Sequence, residues 1–106
     1  MILTKREKNL LLGAVASSML YQGWHIRIRD MYNSRGNKII GSCMLIPSWI
    51  EENEEEFGKK ELILTVKSPH EYVLRNSLDE KGESEKVYSS IMALLYGIKG
   101  YYNLED

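Results

Sequence analysis

The alternation of apolar and basic residues just after Gly23 constrains the fold of this chain more than any other feature. The apolar series comprises Trp24, Ile26 and Ile28, and the cationic series comprises His25, Arg27 and Arg29. Successive side chains of a β-strand point to opposite faces, so the pattern predicts a strand with one buried face and one cationic face. The chain is therefore expected to contain a sheet that is half covered.

The segment before this strand carries the signals of a helix. Thr4 and Glu7 have the spacing of a capping box, and Gly23 suits the left-handed position that ends many helices. Consecutive leucines at 10–12, and the apolar residues after them, widen the apolar face beyond a narrow stripe. A mostly covered helix is predicted over residues 5–22.

A hairpin is predicted next in the chain. Residues 33–37 have the sequence Asn-Ser-Arg-Gly-Asn, which is typical of a hairpin turn. Strands are expected on either side of it, over 24–31 and 37–46. The second of these is apolar on both faces, as in a strand that packs centrally, and Pro47 ends it.

Three helices and one strand are predicted after Pro47. Ser48–Glu51 and Ser68–Glu71 have capping patterns, which predict an acidic helix over 49–57 and a short helix from Pro69 to about Ser77. Residues 60–67 between them are rich in β-formers and predict a third strand. Ser84 is expected to cap a last helix over 84–98.

The predicted fold class is α+β, with a three-stranded, mainly antiparallel sheet in α-β-β-α-β-α-α order, packed by the N- and C-terminal helices. A length of 106 residues with 43% hydrophobic content predicts a single domain, 1–106, with one core. Residues expected to be buried are Leu11, Val15, Leu20, Trp24, Ile26, Ile28, Leu45, Leu64, Ile91, Leu94 and Leu95.

The cysteine content and the hydropathy pattern indicate where in the cell the protein is expected. A single cysteine, Cys43, excludes an internal disulfide, and a reducing, cytoplasmic setting is expected. A membrane-spanning helix needs about 20 predominantly apolar residues. The uncharged run over 9–26 is interrupted by glycine, serine and glutamine, so we interpret it as a buried helix and expect no membrane partner.

Charge is distributed unevenly along a chain whose net charge is −1. Residues 1–46 carry seven basic and two acidic residues, a balance of +5, whereas residues 47–58 carry five glutamates and no base. Such a polarised chain lacks the overall basicity of a DNA-coating protein but offers a local cationic surface.

The cationic face of the hairpin is the candidate nucleic-acid site. Guanidinium groups match phosphate oxygens two at a time, and an aromatic ring can stack on a base. The alternative is that these side chains form only the solvated face of a half-buried sheet. The candidate residues are His25, Arg27, Arg29, Tyr32, Arg35 and Lys38.

The sequence has no pattern typical of catalysis. It contains no P-loop, GxGxxG, GxSxG or paired-carboxylate nuclease pattern. His25 and His70 lack metal-ligand spacing, and Cys43 lies in an apolar strand without an activating base. We expect a binding protein rather than an enzyme, with no metal and no cofactor.

A protein partner is the second hypothesis, and it uses other parts of the chain. The acidic 51–56 segment suits an adaptor or inhibitor that docks on a basic partner. An aromatic stripe on the C-terminal helix is richer than a surface helix of a monomer needs, which predicts a homodimer. Its residues are Tyr88, Met92, Tyr96, Tyr101 and Tyr102.

The predicted elements are, in order, a helix that contains Leu11-Leu12-Gly13, the 24–29 strand, a second strand, and Leu64–Ser68 followed by a helix. This order resembles that of LAGLIDADG homing endonucleases. In that family, the first helix ends in an acidic residue that holds the catalytic metal. The corresponding stretch here, Gly13–Ser18, carries no acid. The resemblance therefore implies a catalytically dead relative that only binds.

Overall fold

The structure is a computed structural model that describes residues 2–50 and 59–104. The described elements are α1 (Lys5–Tyr21), β1 (Ile26–Tyr32), β2 (Lys38–Pro47), β3 (Leu62–Ser68), β4 (Glu71–Asn76), β5 (Lys86–Tyr88) and α2 (Ile91–Tyr102). The strands lie in chain order, each antiparallel to the next. The α+β class is confirmed, but the predicted three-stranded sheet is wrong because the sheet has five strands.

The first strand added to the prediction is β4, which replaces the helix expected from Pro69 to Ser77. Ser68 caps no helix, because residues 71–76 after it form a strand; its hydroxyl accepts a hydrogen bond from the His70 backbone N–H (3.1 Å) within a tight turn. The chain then reverses, and Tyr72 and Leu74 are buried against the core. Burial of these side chains outweighs the local helix signal.

The last helix begins later than predicted. Ser84 closes the connection between β4 and β5, where its hydroxyl donates to the Asp79 carboxylate (2.6 Å). Residues 86–88 then pair with β4. Ser90 is the true helix cap, since its hydroxyl accepts from the Ala93 backbone N–H (3.1 Å), and the helix continues to Tyr102 instead of ending near Ile98.

Both helices pack on one face of the sheet. The predicted capping box at Thr4 and Glu7 is confirmed, and α1 lies on β2 and β3 while α2 lies on β4 and β5, with the two helices in contact. The predicted burial of Leu20 is wrong, because 74% of its surface is exposed. The other residues predicted to be buried belong to the core or pack on it. The fully enclosed centre includes Val15, Met19, Leu45, Leu64, Leu94 and Ile98.

The other face of the sheet has no described helix on it. Register places Arg27 opposite Ile46 and Arg29 opposite Met44. These residues alternate with the core-facing Ile28 and Leu45, so they project to the face opposite the two described helices. Because β1 is an edge strand, the two arginines lie along one border of this face.

The segment after β2 is described only in part. Trp49 and Ile50, the first residues of the predicted acidic helix over 49–57, belong to a turn in which the Ile50 N–H donates to the Pro47 carbonyl (3.3 Å). The rest of that helix, and the acidic 51–56 segment, lie outside the described residues. Neither described helix is long and apolar enough to cross a membrane.

Candidate nucleic-acid interface

The alternation predicted for β1 is present in the structure. Ile26 and Ile28 pack against the core, whereas Arg27 and Arg29 are exposed. A strand rises about 3.4 Å per residue, so the Cα atoms of Arg27 and Arg29, two residues apart, are roughly 7 Å from each other. This distance is close to the spacing of successive phosphates along one nucleic-acid strand.

Arg27, Arg29 and Tyr32 line a single shallow depression at the border of the sheet. The depression has a volume of about 410 Å³, and Ile46 contributes apolar surface to it. Neither arginine forms an ion pair with another residue in the described ranges. Tyr32 is 61% exposed, so its ring is open to a ligand.

The hairpin turn that carries Arg35 is held by the side chain of Asn33. Its Oδ1 accepts hydrogen bonds from the backbone N–H groups of Arg35 (2.9 Å) and Asn37 (3.0 Å). Gly36 has φ +80°, a conformation that other residues rarely adopt. Arg35 is exposed at this tip and is not among the residues of the depression.

Lys38 lies apart from the two arginines. Its ammonium group pairs with Asp30 (3.4 Å), and both residues border a second depression beside Gly13 of α1. Asp30 is also among the residues that border the depression of Arg27 and Arg29, and its negative charge opposes the binding of an anion nearby. His25 is exposed at the start of β1, outside the depression.

Ile46 is a lining residue that sequence reasoning assigned only to a central strand. Its position opposite Arg27 follows once the hairpin register is fixed by the Asn33–Asn37 turn. Counting residues outward from that turn along both strands would have paired Ile46 with Arg27 only if the register were regular. A register shift between Asp30 and Tyr32 makes this count ambiguous.

The aromatic residues of the predicted protein interface do not form one surface. The Tyr102 hydroxyl donates to the backbone carbonyls of Leu45 (3.3 Å) and Lys60, and burial raises the pKa of this phenol. The Tyr101 hydroxyl donates to the Lys59 carbonyl (2.7 Å). Tyr88 packs on α2, so that Met92 and Tyr96 remain as the strongly exposed members of the set.

The structure places Cys43 in the core, and its surroundings affect its chemistry. Cys43 is buried, and this burial, with the negative charge of Asp30, raises the pKa of its thiol to about 12. A thiol with this pKa is a poor nucleophile at neutral pH. Within the described ranges, no three His, Cys, Asp or Glu side chains converge to hold a metal ion.

Comparisons with protein families, with curated proteins and with solved structures found no match. The resemblance to LAGLIDADG homing endonucleases rested in part on a helix that follows Ser68. The structure has β4 there, directly paired with β3, so the order of elements differs at this point.

Proposed function

We propose that this chain is a non-enzymatic binding protein that holds a single strand of DNA or RNA along the border of its sheet. Arg27 and Arg29 would contact successive phosphates, and Tyr32 would stack on a base. The observation that carries the proposal is that these three side chains line one depression while neither arginine has an acidic partner among the described residues.

The chemistry of the two arginines supports a phosphate ligand. A guanidinium group donates to two phosphate oxygens at once, and it keeps its charge at any physiological pH. Both arginines belong to a paired β-strand, so their spacing is set by the backbone and costs little to organise.

A single strand fits this border better than a duplex. Tyr32 needs an unstacked base, and bases are available for stacking only in single-stranded regions. Arg35, at the exposed tip of the hairpin, would extend the phosphate track past Tyr32. Lys38 would contribute less, because Asp30 already holds its ammonium group.

Fluorescence anisotropy with labelled oligonucleotides at low salt tests this function. Single-stranded DNA and RNA should bind, and a duplex of the same sequence should bind more weakly. Tyr32→Ala should weaken single-strand binding about fivefold or more, whereas Tyr32→Phe should bind like the wild type because the stacking ring remains. Failure of the wild type to bind any oligonucleotide at low salt would refute the proposal.

Self-association through α2 is a second candidate function. Met92 and Tyr96 lie one turn apart on α2 and are 70% and 68% exposed, an apolar pair of the kind that anchors interfaces. Light scattering at high micromolar concentration should give the mass of a homodimer, and Tyr96→Lys should return the monomer mass. A monomer mass for the wild type would exclude this function.

A further inference from the structure

A cleft of about 420 Å³ lies between the end of α1 and the exposed side of α2. Ser18 and Gln22 contribute from α1, and Ile91, Leu95, Met92 and Tyr96 contribute from α2. Its volume falls within the range of small-molecule sites. The cleft lies on the helical side of the sheet, away from Arg27 and Arg29, so the inference drawn from it is independent of nucleic-acid binding.

Trp24 borders this cleft and has an unsatisfied polar atom. Its side chain is 93% buried, since only 7% of the residue is exposed. The indole Nε1–H is inaccessible and has no hydrogen-bond acceptor among the residues that the structure describes. A buried donor without a partner is unusual in a folded protein, and it commonly marks a place where a ligand or water completes the bonding.

The position of Trp24 is fixed by the end of α1. The Gly23 N–H donates to the Leu20 carbonyl (2.9 Å), and the Trp24 N–H donates to the Met19 carbonyl (3.1 Å). Gly23 adopts φ +79°, which turns the chain directly from the helix towards β1. These contacts fix the backbone of Trp24 at the junction between the helix and the sheet.

We propose that this cleft binds a small, neutral, largely apolar molecule that carries one hydrogen-bond acceptor, such as an aromatic amide or ketone. Ile91 and Leu95 would pack on its apolar part, and the Trp24 Nε1–H would donate to its carbonyl oxygen. Because Nε1 is covered, the ligand reaches it only when side chains that line the cleft move aside, and this movement is part of the proposal.

The charges around the cleft favour a neutral ligand. The C-terminal end of α1 brings partial negative charge to one side, and the first turn of α2 brings partial positive charge to another. Lys99 also lines the cleft, but it is engaged within the protein. An ionic ligand would therefore gain no clear electrostatic advantage.

Nuclear magnetic resonance of the ¹⁵N-labelled protein tests the proposal through the indole N–H signals of Trp24 and Trp49. The Trp49→Phe variant assigns the Trp24 signal. Benzamide should move this signal downfield with a saturable dependence on concentration. Toluene, which has a similar ring and no acceptor, should perturb the methyl groups of Ile91 and Leu95 without the downfield shift.

Two variants separate the hydrogen bond from the cavity. Trp24→Phe keeps the ring but removes the donor, and it should weaken benzamide binding about 3- to 10-fold with a smaller effect on toluene. Ser18→Leu fills the cleft while Trp24 remains, and it should abolish both. If Trp24→Phe does not fold, Ser18→Leu still decides.

Three results would overturn the inference. They are the absence of a Trp24 shift up to the solubility limit of benzamide, equal downfield shifts with toluene, and benzamide shifts that survive in Ser18→Leu. Titrations at two protein concentrations should give the same affinity. A concentration-dependent affinity would assign the shifts to self-association and would also contradict the proposal.

Discussion

The hydroxyl of Tyr88 on β5 rests against Gly97 on α2, where a methyl group would overlap both the hydroxyl and the ring. This contact explains why a glycine, a poor helix former, lies in the middle of α2. It fixes the short edge strand β5, which has only three residues, to the helix that covers it.

Gly97→Ala should therefore destabilise the protein by about 1–3 kcal/mol, because the Tyr88 ring must move out of its packed position. Gly100→Ala is the matched control on the same helix, since no atom lies within 4 Å of its added methyl group. It should stabilise the protein by up to about 1 kcal/mol through higher helix propensity. Urea unfolding measures both, and equal stability of the two variants would refute the contact.

The assignment of faces on α2 can be tested with two truncations two positions apart. Leu94 is fully buried and Met92 is 70% exposed. Leu94→Ala should cost about 2–5 kcal/mol by leaving a cavity, whereas Met92→Ala should change the unfolding free energy by less than about 0.5 kcal/mol. A larger loss from Met92→Ala, measured at a concentration where light scattering gives the monomer mass, would mean that the helix is rotated about its axis relative to this structure.

The buried thiol of Cys43 makes stability depend on alkaline pH. Its pKa is raised from about 9 to about 12 in the folded protein, so above pH 9 the unfolded chain loses a proton that the folded chain keeps. The stabilisation is complete below pH 9 and is lost as the pH rises towards 12.

Between pH 8 and pH 10, the wild type should lose about 1.4 kcal/mol more unfolding free energy than Cys43→Ala, which has no thiol to titrate. Tyrosines ionise similarly in both proteins, so the comparison cancels their contribution. Parallel pH dependence of the two proteins would show that the thiol is accessible.

Asp30 should weaken the binding of nucleic acid, because this acidic residue borders the depression of Arg27 and Arg29 and holds the Lys38 ammonium group in an ion pair. Asp30→Asn removes this charge and also frees Lys38 from its ion pair. Affinity for a single-stranded oligonucleotide should rise about two- to fivefold at low salt and less at high salt, where charges are screened. An unchanged affinity at low salt would place the phosphates elsewhere.

Local patterns were sufficient for the first half of the fold. The Thr4 capping box and the 24–29 alternation each specify backbone geometry over a few residues, and both are present in the structure. The Ser68 pattern failed because a serine can close a tight turn as well as cap a helix. Contacts of Tyr72 and Leu74 with distant core residues decide between these outcomes, and no local pattern contains them.

The candidate site was also predictable where local patterns determine it, and not where tertiary contacts do. Exposure of Arg27 and Arg29 follows from alternation, since their neighbours must be buried. The ion pair of Lys38 with Asp30 and the burial of Tyr102 arise from how the hairpin and α2 fold onto the sheet. The ion pair depends on the register shift in the hairpin, and the burial of Tyr102 depends on Leu45, 57 residues away in the sequence, so neither could be read from spacing.

The salt dependence of single-strand binding tests the central claim most directly. Each phosphate contact contributes about 0.7 to the slope of log affinity against log salt concentration for a single strand. Arg27→Ala/Arg29→Ala should therefore flatten the slope by about 1.4. Lys5→Ala/Arg6→Ala, which removes the same charge from the exposed start of α1, should leave it unchanged. Equal slopes for the wild type and both variants would contradict phosphate binding at the β1 border.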